Sequence, residues 1–282
     1  MSKVIVTCDS TCDLNADQYK RFGILTMPLY VRLGDEEHRD GVDLSNDQLF
    51  DYVKRTGQLP KTAAATVQDY YDMWKPYVDQ GYEVVHINIS SEFSVCHQNA
   101  CTAAEMLGHS YVIDSRNLSS GSGHLAIDAS ELAAEGKSGQ EIKEILDKKK
   151  LRLNVSFVLD TMEYLAKGGR CSSMTALAAG LLRLRLEIEV KNGKMVVGKK
   201  YRGKLENVLI QYVHDRLRNV DVETKRIFIT YPNMDDEIVE KVRQAVLEEK
   251  PFHEVLCSNA GCTVASHCGP KCLGILFYEA EK

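Results

Sequence analysis

Val84-Val85-His86-Ile87-Asn88-Ile89-Ser90-Ser91-Glu92-Phe93-Ser94 is a short, largely apolar strand that runs into a loop of hydroxyls, and a helix-like, Ala-rich segment follows from Val95 to Leu107, ended by Gly108. The same arrangement occurs twice more in the first half of the chain. Val4-Ile5-Val6 leads into Thr7-Cys8-Asp9-Ser10-Thr11, and Tyr111-Val112-Ile113 leads into Asp114-Ser115 and then Ser119-Ser120-Gly121-Ser122-Gly123. Buried strands separated by helices make a parallel sheet, and the carboxyl edge of such a sheet is where these folds take ligands. Hydroxyls beside the free N–H groups of helix N-termini suit a small anion such as carboxylate or phosphate. The plainer account of each loop is a Ser or Thr helix cap.

The rest of the first half keeps the alternation. Leu14–Phe22 reads as a helix stopped by Gly23, Ile24–Leu33 as a strand, and Ser45 with Gln48 as a capping box for a helix to about Arg55. Thr66 with Asp69 opens another helix, and helices follow at about 123–134 and 139–149, the second capped by Ser138 with Glu141. The second half differs. Leu151–Leu159 reads as a strand and Thr161 caps a short helix that stops at Gly168-Gly169-Arg170. Ser172 or Ser173 caps an apolar helix, Ala176–Leu182. Alternation at Leu184, Leu186, Ile188 and Val190, then Asn192-Gly193 and Met195–Val197, is a hairpin pattern. Two amphipathic helices, at 205–213 and 238–246, and strands at Arg226–Thr230, Glu254–Cys257, Cys262–Ala265 and Leu273–Tyr278 complete a mixed sheet. The expectation is an α/β protein of two domains, a parallel-sheet domain at 1–150 and a mixed-sheet domain at 151–282.

Length and composition agree with that reading. A chain of 282 residues exceeds one ordinary core, and 44% apolar with 27% charged residues describes a globular protein. A net charge of −5 argues against a nucleic-acid surface, which needs a basic stripe. No apolar run approaches the ~20 residues that span a membrane, and Met1–Thr7 has no signal-peptide core, so a cytoplasmic location is expected. The nine cysteines are then thiols. Cys257, Cys262, Cys268 and Cys272 have spacings that match no zinc pattern, although a cysteine-based metal or redox protein stays open as a reading.

Three further segments carry candidate chemistry. Gly168-Gly169 lets the backbone approach closely and aims Arg170, whose guanidinium forks onto carboxylate or phosphate. His267, in Ser266-His267-Cys268-Gly269-Pro270, suits an acid/base or an anion donor. Thr62, in Pro60-Lys61-Thr62-Ala63-Ala64-Ala65-Thr66, has no capping duty, while Thr66 does. There is no P-loop, dinucleotide fingerprint or nucleophile elbow. A stand-alone hydrolase of a phosphate or acyl ester would need Ser94 or Ser119 with His267 and Asp114 or Asp9.

Taken in order, these segments resemble the DegV family of bacterial fatty-acid-binding proteins, over essentially the whole chain. Asp9-Ser10-Thr11-Cys12-Asp13-Leu14 is similar to its D-S-[ST]-x-D-L, and Met27-Pro28-Leu29 to its V-P-L, with Asp40-Gly41-Val42-Asp43 following. Pro60-Lys61-Thr62 sits where the family has P-x-T-S-Q-P-S, and Ser90–Ser94 resembles S-S-x-L-S-G-T. Val112–Ser115 resembles V-I-D-S, Leu165–Arg170 resembles L-x-K-G-G-R, and His267–Pro270 resembles H-x-G-P-G.

The resemblance implies one long-chain fatty acid with its carboxylate at the domain junction and its tail in an apolar tunnel. The acid is presented to a separate ATP-binding fatty acid kinase subunit, which makes acyl phosphate for phospholipid metabolism. Lipid exchange would involve transient membrane contact. The protein itself is then not an enzyme and has no cofactor, no metal and no catalytic residue of its own. By motif position, Thr62 and Ser94 donate to the carboxylate, and Arg170 and His267 lie near it or near phosphoryl transfer. Ser10, Ser91, Thr66, Ser115 and Gly169 are secondary candidates, and Met174–Leu184 and the helix of Leu205–Val213 are the expected tunnel walls. The departures are Ala63-Ala64-Ala65-Thr66 for S-Q-P-S, Val95-Cys96 for G-T, Leu184-Arg185-Leu186 for I-K-P, and Lys271 for a glycine.

Overall fold

The computed structural model of the chain describes residues 3–170 and 184–281. The first half runs β1 (Lys3–Asp9), α1 (Ala16–Phe22), β2 (Ile24–Met27), β3 (Tyr30–Leu33), β4 (Glu36–Arg39), α2 (Asn46–Thr56), β5 (Lys61–Ala63), α3 (Val67–Val78), β6 (Tyr82–Asn88), α4 (Cys96–Leu107), β7 (Ser110–Asp114), α5 (Ser120–Ala134) and α6 (Gly139–Lys149). The second half, in its described residues, runs β8 (Leu153–Leu159), α7 (Glu163–Gly168), β9 (Arg185–Lys191), β10 (Lys194–Tyr201), α8 (Leu205–Leu217), β11 (Val222–Tyr231), α9 (Asp236–Glu249), β12 (Glu254–Asn259), α10 (Cys262–Cys268) and β13 (Cys272–Glu279). The chain is α/β with a parallel sheet in its N-terminal part and a mixed sheet in its C-terminal part.

The parallel sheet has the order β2-β1-β6-β7. The mixed sheet has the order β10-β9-β8-β13-β11-β12, in which only β11 and β12 are parallel. A third, antiparallel sheet, β4-β3-β5, was not foreseen from the sequence. It arises because the expected strand over Ile24–Leu33 breaks at Pro28, which has no N–H for a ladder. Leu29 turns out of the parallel sheet there and donates its N–H to Ser10 Oγ at 3.1 Å. Helices whose boundaries are set locally form where expected, with capping boxes at Ser45/Gln48, Thr66/Asp69 and Ser138/Glu141 and left-handed Gly stops at Gly23 and Gly57. The hairpin turns through Asn192 (φ 53°) and Gly193 (φ 81°) as its sequence requires.

Cys262–Ala265 is not a strand but the first half of α10. Short apolar runs do not discriminate strand from helix, and here long-range capping decides. The expected apolar helix Ala176–Leu182 lies outside the described residues.

The two largest hydrophobic cores draw on both halves of the chain. One joins Met27, Trp74, Cys96 and Leu118 with Phe157, Leu186, Val264 and Cys272; the other joins Val6, Ile87 and Leu125 with Val155, Phe228 and Tyr278. A third core is formed by the second half alone, with α8 and α9 on one face of the mixed sheet. The first of these cores leaves a gap, and the candidate site lies there.

Candidate functional site

The loop after β6 is set by a buried carboxylate. Asp9, at the end of neighbouring β1, accepts the Ile89 N–H at 2.9 Å, Asn88 Nδ2 at 3.1 Å and the Tyr70 hydroxyl at 2.7 Å, and stands 3.2 Å from His86 Nε2. Trp74 packs against both Tyr70 and His86, closing this group from water. The chain therefore leaves β6 in one direction. Ser90 then donates its hydroxyl to Gly193 O at 2.9 Å, and its N–H goes to Asn117 O at 2.8 Å, so the loop is held between the first half and the hairpin tip of the second. Ser94 ends the loop. Its hydroxyl donates to Cys96 Sγ at 3.0 Å and accepts the Cys96 N–H at 3.2 Å, so this serine takes up one of the free donors at the start of α4. Burial pushes the Cys96 thiol up to about 11, so it stays protonated.

Thr62, Ser94, Arg170 and His267, drawn from positions up to 205 residues apart, all border one cavity. Its other walls are mostly apolar, with Leu29, Ile89, Phe93, Leu118, Met195 and Val264 among them. A second, mostly apolar space shares Leu118, Val264 and Cys268 with it and is bordered by Val155, Phe157 and Leu276 of the mixed sheet. Thr62 comes from β5, and its Oγ1 is hydrogen-bonded to His267 Nε2 at 2.9 Å. The other face of the imidazole rests on Gly168, where a Cβ would come within 2.5 Å of Nδ1. That contact is the physical reason for glycine at Gly168. Gly169 has φ 71° and turns the chain so that Arg170, exposed, donates back to Gly168 O at 2.8 Å. Burial, with the Arg170 charge nearby, pushes His267 down to about 4, so the ring is neutral at pH 7. The cavity wall thus carries the hydroxyl-bearing Thr62, Ser94 and Thr263, a neutral imidazole and one guanidinium among mostly apolar side chains.

The secondary candidates lie elsewhere. Thr66 caps α3, Ser91 donates to Asp114 at 2.7 Å, and Ser115 is fully buried and bonded to Asn117 O. Ser10 donates to Asp40 Oδ2 at 2.9 Å. Asp40 Oδ1 in turn accepts the Cys262 N–H at 2.7 Å, and Asp13 Oδ1 accepts the Gly261 N–H at 2.7 Å. Ser119 donates to the other Asp13 oxygen at 2.5 Å. Two hydroxyl loops of the sheet edge therefore serve the protein's own carboxyl groups, which hold the first turn of α10. A Cβ on Gly261 would lie 2.9 Å from Asp40 and 3.3 Å from Asp13, leaving no room for a side chain. Desolvation pushes the Asp13 carboxyl well above its usual range, and the nearby Asp40 charge adds to that. Neither acid stood out in the sequence as more than part of a motif, because their partner is over 220 residues away.

The expected walls need correction. α8 packs in the third core and does not border the cavity. Met174–Arg183 lie outside the described residues, while Leu184 packs against the first core. The arrangement that a hydrolase would need does not form: Asp9 is committed to Tyr70, Asn88 and Ile89, and Asp114 to Ser91 and Arg116. A hydroxyl–imidazole–carboxylate line does occur at Thr7, His86 and Asp9, but all three are fully buried and none borders the cavity. Cys257, Cys262, Cys268 and Cys272 are dispersed over β12, α10 and β13, and among the described residues no group of three or more His, Cys, Asp or Glu is arranged to hold a metal. Of the substituted positions, Ala65 is a fully buried core residue whose carbonyl accepts Asn99 Nδ2, Val95 is exposed, and Lys271 is exposed.

A family model described as "Uncharacterised protein, DegV family" matches residues 3–280. The chain belongs to the DegV family. A DegV domain-containing protein of Clostridium acetobutylicum is 32% identical over 283 residues, covering 99% of each chain. A DegV family protein of Thermus thermophilus, whose structure is described as one of fatty acid binding, is 27% identical with a TM-score of 0.89, covering 99% of this chain and all of that one. The Streptococcus pneumoniae fatty acid kinase B3 protein, solved loaded with linoleic acid, shares the fold at a TM-score of 0.85 and 19% identity, over 99% of this chain and 100% of that one. Among the described residues of this DegV protein, no helix is long and apolar enough to cross a membrane.

Proposed function

We propose that this protein binds one long-chain fatty acid and presents it to a separate ATP-dependent kinase for acyl-phosphate formation. The carboxylate would sit against Thr62 and Ser94, with His267 and Arg170 beside it, and the tail would follow the apolar space toward Val155 and Leu276. On this reading residues 1–150 supply the head-group loops and residues 151–282 most of the tail pocket. The observation that carries it is that four sequence-distant polar side chains, Thr62, Ser94, Arg170 and His267, border one mostly apolar cavity. The fatty acids named for the Thermus and Streptococcus proteins agree with it.

The chemistry is suited to that task. Each buried methylene contributes ~0.8 kcal/mol, so a tail of roughly fifteen supplies about 12 kcal/mol gross before the costs of association. The head group needs only directional donors, which Ser94 and Thr62 supply by turning from Cys96 and His267, and a neutral His267 adds no second full charge. Arg170 is exposed and permanently cationic, which fits a group that meets the carboxylate while a phosphoryl group is transferred to it. Native mass spectrometry of the protein purified from bacteria tests the first part. A bound acid of 14 to 20 carbons, on the order of a membrane lipid chain, is expected; protein that emerges lipid-free and takes up no added fatty acid would reject the reading. Acyl phosphate should then form only when kinase, ATP and the loaded protein are combined.

A further inference from the structure

The cavity wall includes a threonine whose buried hydroxyl the protein leaves without a partner. Thr62 Oγ1 is bonded to His267, and Ser94 Oγ to Cys96. Thr263 borders the same cavity and is only 6% exposed, yet its Oγ1 has no hydrogen-bond partner among the described residues. An unpaired buried hydroxyl is unfavourable, and a valine would fill almost the same volume without it. The position of Thr263 says what could pair with it. Thr263 and His267 are four residues apart on α10, so they share a face about one turn, or roughly 6 Å, apart. Thr263 borders the chamber of Thr62, Ser94, Arg170 and His267 and not the second, mostly apolar space, whereas Val264 and Cys268 border both. In a helix threonine divides its side chain between two χ1 rotamers, so a rotation gives the hydroxyl a second position when an acceptor arrives.

We propose that the preferred ligand is a fatty acid oxygenated near its carboxylate, carrying a hydroxyl on one of its first carbons, and that Thr263 selects it. The inference rests on the fatty-acid reading above. A plain chain leaves the Thr263 hydroxyl unpaired beside methylenes; a hydroxylated chain satisfies it and is satisfied in return. Sites built to pair a ligand hydroxyl discriminate strongly against the analogue that lacks it.

The test titrates the delipidated full-length protein with hexadecanoic acid and with 3-hydroxyhexadecanoic acid, for the native chain and for Thr263→Val and Thr263→Ser. The native protein and Thr263→Ser should favour the hydroxy acid by about tenfold. Thr263→Val should abolish or invert that preference while binding the plain acid at least as well. Equal affinity of the native protein for both acids overturns the inference and leaves the fatty-acid reading standing, as does an equal loss for both acids in Thr263→Val, which would make Thr263 a carboxylate contact. Binding of neither acid by any of the three overturns the fatty-acid reading and this inference with it.

Discussion

Two regions of the molecule use the same chemistry to opposite ends. Around Asp13 and Asp40, serine hydroxyls and the N–H groups of a helix start converge on carboxyl groups, and those carboxyls belong to the protein. Around Thr62 and Ser94, hydroxyls again gather, Ser94 at the start of α4 and Thr62 on His267 of α10, but the space in front of them is a cavity. The first region is a finished anion site that locks α10 onto the first half; the second is the same kind of site left open. The comparison shows that hydroxyl-rich loops at a sheet edge announce carboxylate binding without saying whose carboxylate. It also shows how the two depend on each other, since α10 is held by the closed site and carries His267 and Thr263 into the open one.

The comparison can be broken most forcefully from the closed side. Asp40→Ala strips partners from the Ser10 hydroxyl and the Cys262 N–H in a buried setting, and should lower stability by about 3 kcal/mol. Denaturant unfolding reads this directly, and a loss under ~0.5 kcal/mol would mean that α10 does not depend on the acid. Gly168→Ala acts on the open side. Its Cβ would press on His267 Nδ1 from 2.5 Å and push the ring off Thr62, so fatty acid binding should weaken by about 2 kcal/mol while the melting temperature changes little. Thr62→Ala and Ser94→Ala should each cost about 1–2 kcal/mol of binding, the range for a hydrogen bond to a charged group. Unchanged affinity in both would remove them from the head-group site.

The two regions should also respond to pH with opposite signs. His267 is held down to about 4 and His124, buried against Phe228 and Tyr278, to about 3, against 6.5 when free. Their contribution to stability is complete above 6.5 and is lost as pH falls through that window toward 4 and 3. Asp13 is raised, so its contribution is present below 3.8 and is lost as pH rises through its folded value. Stability measured from pH 4 to 8 should therefore lose part of its acid limb in His267→Asn and part of its alkaline decline in Asp13→Asn. Identical profiles for both variants would show that neither group is coupled to folding. The smallest binding effect is expected at Arg170→Ala: exposed, it should change fatty acid affinity by no more than ~0.5 kcal/mol yet lower kinase-coupled acyl phosphate formation severalfold. Normal turnover would reject its part in phosphoryl transfer.

What could be read from the sequence follows the range of the interactions involved. The helices of Ser45, Thr66 and Ser138 were legible because cap and partner lie three residues apart. The hairpin was legible because Asn192-Gly193 fixes its own turn. The four main site residues were nameable only as parts of an ordered set of motifs, since Thr62 and His267 meet across 205 residues. The helical state of Cys262–Cys268 was not legible because Asp13 and Asp40 supply its cap from the other half of the chain. Thr263 is hidden for the same reason: on a strand it has no geometric relation to His267, and on a helix it lies one turn away. The third sheet was hidden by Pro28, which reads as an interruption in a strand until Leu29 is seen bonded to Ser10.

The place of β13 has a consequence for synthesis. It follows the other described strands in sequence yet lies between β8 and β11, near the middle of the mixed sheet. While a ribosome is making the chain, β8 and β11 therefore wait with open edges and apolar faces until residues 272–279 emerge. Such late, long-range pairing is slow and invites misassociation. The nascent protein should lean on a holding chaperone, and a ribosome stalled before Cys272 should expose a chain that cannot complete its mixed sheet.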